Sequence, residues 1–263
     1  MLENVPGFVT SNRGADLKWT LFYLNKLGYL CDLILADARW FVPQSRPRLF
    51  IIGALGAATT IATPEVNRLR PSSVIRFIEA NRDLSWQFTD IPEPPTGDYS
   101  LSEYVQHIPA TDDMWWDVSR LGNFLASLSP LQSERLEILR KAPETHVSTA
   151  YRRTRQGKPT WEIRKDEISG CLRTSRGGSS KQALVEAGQG NVRVRWMTAL
   201  EYARLQGAPY FSFYSDSANQ ARFDFGDAVC VPVVEWITLN LLKPKIRHKL
   251  ETAAVTYTQL SKV

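Results

Sequence analysis

Cysteine is scarce in this chain, with only Cys31, Cys171 and Cys230 among 263 residues. At such wide spacing they build neither a disulfide framework nor a zinc site. The compartment this implies is a reducing cytoplasm, or the nucleoid within it if the source is bacterial. A secretory leader is missing too, because Met1-Leu2-Glu3-Asn4 offers no basic segment with an apolar one after it. The longest apolar run, Val229–Leu242, is broken by Glu235 and Asn240 and is short for a bilayer, so no membrane partner is expected. No internal repeat or low-complexity tract appears. Charge of neither sign dominates: 32 Lys and Arg face 27 Asp and Glu, for a net +5. That balance is compatible with a polyanionic partner without demanding one. What is present is an apolar fraction of 43%, enough to bury the core of one large domain or two modest ones.

The hydrophobic pattern is α/β. Leu17–Leu27 has helical spacing and Gly28 stands where a helix would stop. Tyr29–Leu35 reads as a strand, Ala36–Arg46 as a loop and Leu49–Gly53 as a second strand. This is the doubly wound, Rossmann-like pattern, but incomplete: one helix with two or three strands leaves sheet edges and faces for something else to cover. A long middle region is mixed and turn-rich. It holds short helices at Ser72–Ala80 and Pro130–Lys141, a rigid loop at Ile91–Asp98, and Trp115-Trp116 as a core anchor beside Asp112 and Asp113. Basic stretches follow at Tyr151–Lys158, Arg164-Lys165 and Arg173–Gln182. The first of these reads equally as a phosphate-binding run and as a solvated loop. Thr198-Ala199-Leu200-Glu201 is a capping box that starts a helix, and Gly207 ends it. Val229–Leu242 is the last core helix expected, with a charged peripheral tail beyond Lys243.

Four strings carry the chemistry. In Gln44-Ser45-Arg46-Pro47-Arg48, extended backbone would put Arg46 and Arg48 on one side, where two guanidinium forks could meet one phosphate or base edge. The plainer reading is a strand end with solvated charges. The other strings are Glu3-Asn4-Val5 upstream, then Thr198-Ala199-Leu200-Glu201-Tyr202-Ala203-Arg204-Leu205-Gln206-Gly207, then Gly226-Asp227-Ala228-Val229-Cys230. In this order they resemble the later motifs of the DNA cytosine-5 methyltransferases: Glu-Asn-Val, Gln-x-Arg-x-Arg, Leu-Thr…Leu-Gln-Gly and Gly-Asn-Ala-Val-Pro. The likeness covers residues 1–53 and 193–236 firmly and the rest by position. It implies a C-terminal part of the methyltransferase core over 1–56, a target-recognition domain over 57–191, a return to the core over 192–243, and a peripheral tail over 244–263.

That family methylates cytosine by adding a cysteine thiolate to C6 of a base flipped from the duplex, which makes C5 nucleophilic toward the methyl group of S-adenosylmethionine. Addition needs a proton or hydrogen bond at N3. By resemblance, Glu3 supplies it, Arg48 contacts the flipped base, and Arg46 supports the loop and its phosphate contacts; Asn4 orients the turn. Gly226, Asp227 and Ala228 correspond to the contact with the methionine end of the cofactor, no metal being required. Aspartate replaces the usual asparagine, and Cys230 the usual proline. Arg173, Arg176, Gly177, Gly178, Ser179, Ser180, Lys181 and Gln182 are the candidate DNA contacts. Thr198, Glu201 and Arg204 are structural: Thr198 is the N-cap, Glu201 caps, and Arg204 is the residue expected in a buried ion pair. Gln44 satisfies loop backbone.

Two family motifs are absent, the Phe-x-Gly-x-Gly turn for the cofactor and the Pro-Cys doublet with the nucleophile; no cysteine here follows a proline. The leading expectation is one subunit of a split cytosine-5 methyltransferase, whose partner chain brings both motifs to duplex DNA. The alternatives are an inactive DNA-binding remnant, an RNA cytosine methyltransferase of the same fold, and a one-chain enzyme with a misplaced start.

Overall fold

Helix and strands open the chain in the order the apolar spacing predicts. The computed structural model describes residues 1–56, 62–155, 157–174, 181–213 and 218–246. They fall into two units: Met1–Asp37, Pro47–Pro95 and the chain from Val233 on form the first, and Ala38–Arg46 with Thr96–Pro232 the second.

In the first unit, β1 (Leu2–Asn4), α1 (Ala15–Lys26), β2 (Tyr29–Asp37) and β3 (Pro47–Leu55) build a three-stranded sheet of order β1-β3-β2. Strand β3 is antiparallel to both neighbours, so β1 and β2 run in the same direction and α1 is the crossover between them. Gly28 ends this helix region at φ +85°, a left-handed conformation that a side chain resists. Successive residues of β2 are buried, including Leu33, Ile34 and Ala36, which is why the strand reads as a continuous apolar run. Leu17 and Leu21 of α1 pack with Leu33, Leu49 and Ile51 of the sheet and with Val74, Phe77 and Ile78 of α2 (Ser72–Ala80). This packing corrects the boundary expected at residue 57. Helix α2, Leu84 and Trp86 belong to the core of the first unit, and the change of unit falls at Pro95. Beneath them Asp32 and Arg70, both buried, form an ion pair at 2.7 Å.

The second unit contains α3 (Val118–Ala126), α4 (Pro130–Lys141), β4 (His146–Arg155), β5 (Lys158–Ile163), β6 (Ala183–Gly188), β7 (Asn191–Trp196), α5 (Ala199–Leu205) and α6 (Ala218–Asp227). Its sheet is antiparallel throughout, in the order β5-β4-β6-β7. Asp117 caps α3 by accepting the Arg120 N–H at 2.8 Å, and Ser129 before Pro130 caps α4. Met197, Tyr202, Leu205 and Phe225 pack with Leu101, Leu172 and Leu184. Residues 192–232 belong to this unit, because β7 is paired to β6 and α5 packs with Leu101, Leu172 and Leu184.

Helix α7 (Val231–Ile237) begins in the second unit and ends in the first, continuing as a wider turn over Thr238–Leu242. Taken as one helical run, Arg222–Ile246 is long and apolar enough to cross a membrane, more than the sequence suggested. Its buried residues Val233, Ile237 and Leu241 recur every fourth position, the single stripe of a core helix.

The capping box forms as expected, but its glutamate has a partner the motif did not reveal. Glu201 Oε1 and Oε2 lie 2.5 and 2.9 Å from the Arg195 guanidinium, and both side chains are fully buried. Arg204, expected in that role, donates instead to the Tyr104 and Val105 carbonyls, each at 3.3 Å. Removing one member of a buried pair strands the other charge. Glu201→Ala is thus expected to lower the unfolding free energy by about 3–5 kcal/mol in urea denaturation. Glu137→Ala, in the exposed pair with Arg140, should leave the midpoint unchanged.

Candidate active site

Three residues of β1 deliver the first candidate. Glu3 stands opposite Phe50 in the β1–β3 register, which brings its carboxylate to the start of β3, where Arg48 lies. Arg48 Nε is 3.0 Å from Glu3 Oε1, and the two side chains are 16% and 19% exposed. A second guanidinium nitrogen of Arg48 donates to the Pro47 carbonyl at 2.9 Å, fixing the plane of the fork. The structure thus joins in one ion pair two residues that the sequence presented 45 positions apart. Asn4 accepts the Val5 N–H at 2.8 Å where the chain leaves the strand.

Arg46 departs from expectation. Strand β3 starts at Pro47, so the alternation that would have aligned Arg46 with Arg48 does not reach back to it. Its side chain is buried within the second unit and donates to main-chain carbonyls: Leu172 at 2.8 Å, Ala228 at 2.7 Å and Gly226 at 3.4 Å. This geometry makes Arg46 a positioning residue. Gln44, fully buried beside it in sequence, donates to the Leu205 carbonyl at 2.7 Å and accepts the Leu172 N–H at 3.3 Å, so it serves the backbone as read.

The final motif is held by Arg46 and by Gln206, which donates to the carbonyls of Phe225 at 2.7 Å and Ala228 at 3.1 Å. Gly226 is packed main chain to main chain: a Cβ there would lie 2.4 Å from Arg173 C and Thr174 N. Its lack of a side chain serves this close approach. Asp227 is exposed and Ala228 half-buried.

Of the candidate DNA contacts, Arg173 is exposed and Lys181 half-buried, its ammonium 6.0 Å over the Trp196 ring. Gln182 turns inward instead. It is buried, its N–H donates to the Tyr202 hydroxyl at 3.2 Å, and its amide packs against Gly170. Arg176, Gly177, Gly178, Ser179 and Ser180 lie outside the described residues. Arg195 and Gln106 were not singled out from the sequence, yet Glu201 Oε1 accepts the Gln106 N–H at 2.8 Å and Arg195 neutralises the same carboxylate. The alternation Arg193-Val194-Arg195 in β7 was the available signal, since it aims Arg195 and Arg193 to the same side.

Two of the three cysteines are buried. Cys31 is buried and its thiol is pushed up to about 11, first by burial and then by neighbouring Asp32. Cys230 is buried as well, and half-buried Cys171 has its sulfur 3.7 Å from the Arg46 guanidinium and donates to the Leu172 carbonyl. Among the described residues no group of three or more His, Cys, Asp or Glu is placed to hold a metal ion.

A carboxylate–guanidinium pair at the strand ends of a crossover α/β unit, joined to a separate basic β-rich unit, agrees with what whole-chain comparison shows. The chain belongs to the C-5 cytosine-specific DNA methylase family, whose model matches residues 1–243. It is 26% identical to the Type II methyltransferase M.NgoBI of Neisseria gonorrhoeae over 242 residues, covering 89% of this chain and 58% of that protein. Identity to the Type II methyltransferase M.DsaV of Dactylococcopsis salina is also 26%, over 92% of this chain and 56% of that one. The chain spans little more than half the length of these relatives. Among solved structures, the S. pombe Dnmt2 methyltransferase matches at 15% identity with a TM-score of 0.49, over 92% of this chain and 65% of that one.

Two outcomes follow from the site. Arg46→Ala, which leaves several buried carbonyls without their donor, is expected to cost about 3 kcal/mol of stability, measured by urea denaturation. Cys31 should resist iodoacetamide at pH 8 in the folded chain and react once the chain is unfolded; modification of the folded chain would show an accessible thiolate.

Proposed function

We propose that this chain supplies the base-activating and DNA-reading part of a cytosine-5 methyltransferase acting on duplex DNA, with the cysteine nucleophile and the principal cofactor turn brought by a partner polypeptide. The observation that carries this reading is the Glu3–Arg48 pair at 3.0 Å. A carboxyl at this position, in its protonated form, donates to N3 of an extruded cytosine, so that the negative charge developing in the ring on addition at C6 is met by a proton. Arg48 holds that carboxyl by one face of its fork, close to where the carbonyl of the same base would lie. Arg46, Gln44 and Gln206 act at one remove, fixing the Gly226–Ala228 segment and the start of the recognition segment at Arg173.

S-adenosylmethionine fits the residues present at one end only. The exposed Asp227 carboxylate can accept from the ammonium of its methionine part. Gly226 is closed against Arg173–Thr174, and the sequence has no Phe-x-Gly-x-Gly turn for the adenosine end. When bound, the cofactor supplies the electrophilic methyl group. The nucleophile is likewise sought elsewhere, since no cysteine here follows a proline and Cys31 is held as the thiol.

A second reading, a DNA-binding remnant without chemistry, draws on Asp227 and Cys230 standing where the family has asparagine and proline. Methyl transfer from labelled S-adenosylmethionine to mixed-sequence duplex DNA separates the two. The chain is assayed alone and with a polypeptide of the same family that carries the Phe-x-Gly-x-Gly and Pro-Cys motifs. Transfer is expected only with both polypeptides present, falling about 100-fold or more with Glu3→Gln or Arg48→Ala. DNA retention without transfer in either arrangement would establish the remnant instead.

A further inference from the structure

One face of the β5-β4-β6-β7 sheet carries a pocket that the proposed chemistry does not use. Trp161 on β5 stands opposite Arg152 on β4, and Trp196 ends β7. Trp116, just before α3, completes a three-tryptophan cluster whose ring centroids are 5.2 to 5.7 Å apart. All three rings are only half-buried, and they wall a cavity of about 440 Å³. Arg120 of α3 places its guanidinium 4.3 Å from the Trp116 centroid and 5.2 Å from that of Trp196. Arg152, Lys181 and the amide of Asn123 also line the cavity, and among the described residues no carboxylate does. The Trp116 indole N–H is buried with no acceptor among the described residues.

The lining selects its ligand by exclusion. A tryptophan cage ordinarily suits a cation, but Arg120 and Arg152 repel one. A neutral apolar ligand would strip water from those cations and return nothing. A planar ring that carries negative charge satisfies both requirements: the ring stacks on indole, the phosphate meets a guanidinium, and polar ring edges meet Asn123. We propose that the Trp116–Trp161–Trp196 pocket binds one unstacked nucleotide. The cavity lies in the size range of small-ligand sites, and a base inside a duplex, stacked on both sides, cannot enter it. The pocket's chemistry stands independently of the proposed function. Only the expectation that the nucleotide belongs to a DNA strand rests on it.

Photo-cross-linking tests this directly. The full chain is irradiated with 5-iododeoxyuridine-substituted oligonucleotides, single-stranded, mismatched-duplex and fully paired, and in a parallel arm with 5-iododeoxyuridine monophosphate. Cross-links are mapped by mass spectrometry. Attachment to Trp116, Trp161 or Trp196 is expected from the single-stranded and mismatched DNA. The exposed double substitution Arg120→Ala/Arg152→Ala should weaken binding of those strands by about tenfold or more, and Trp161→Phe should retain it. Attachment from the monophosphate, with no DNA retained, would uphold a nucleotide pocket while overturning the DNA-binding function. Duplex DNA retained with cross-links only outside these three residues would overturn the pocket and leave DNA binding standing. No cross-link from either probe overturns the pocket outright.

Discussion

A buried guanidinium surrounded by main-chain carbonyls can neither discharge nor leave without orphaning its acceptors, and Arg46 is held in that way. Its N–H groups reach Leu172, Gly226 and Ala228, which lie more than a hundred residues downstream. Gln44 extends the same arrangement to Leu205, and the backbone of the segment is tied at Ser45 N–H to Ser169 O, 2.9 Å, and Ser169 N–H to Pro43 O, 2.7 Å. These loops have few ladder bonds of their own, so their polar backbone must be satisfied by side chains. The placement of Asp227, of Arg173 and of the end of α5 all follows from two residues in a short excursion near the chain's start.

The chemistry that the chain retains is that of hydrogen bonds and fixed charge. Glu3 and Arg48 form a pair set at the ends of strands, with backbone too short and too well registered to drift. The Cys31 thiol by contrast sits where burial and Asp32 disfavour the thiolate, and Cys230 is buried. The pair brings together one carboxylate and one guanidinium, in a chain that covers little more than half of the length of the relatives it matches.

Local features were legible in the sequence because they are fixed by neighbours. Gly28 ended the first helix region, Ser72–Ala80 and Pro130–Lys141 formed as helices, and Thr198 with Glu201 closed a capping box. Long-range pairings were not, because nothing local determines them. Glu201 takes Arg195 across the end of β7 rather than Arg204 one turn along its own helix. Arg46 and Arg48 have different partners because extended alternation holds only inside a strand, and the strand begins between them. Gln182, polar and next to the recognition segment, was an inviting DNA contact until the packing of Gly170 and Tyr202 drew it inward. The unit boundaries moved for a similar reason: composition showed a turn-rich middle, whereas the shared cores of α2 with the first sheet and α5 with the second decide membership.

The chain passes between its two units four times, at Asp37–Ala38, Arg46–Pro47, Pro95–Thr96 and Pro232–Val233. A recombination event that exchanged Thr96–Pro232 as a single cassette would therefore transfer an incomplete unit. The incoming carbonyls at 172, 226 and 228 would meet whatever residue the recipient carried at position 46, so the fold of the exchanged block would depend on a side chain encoded well outside it.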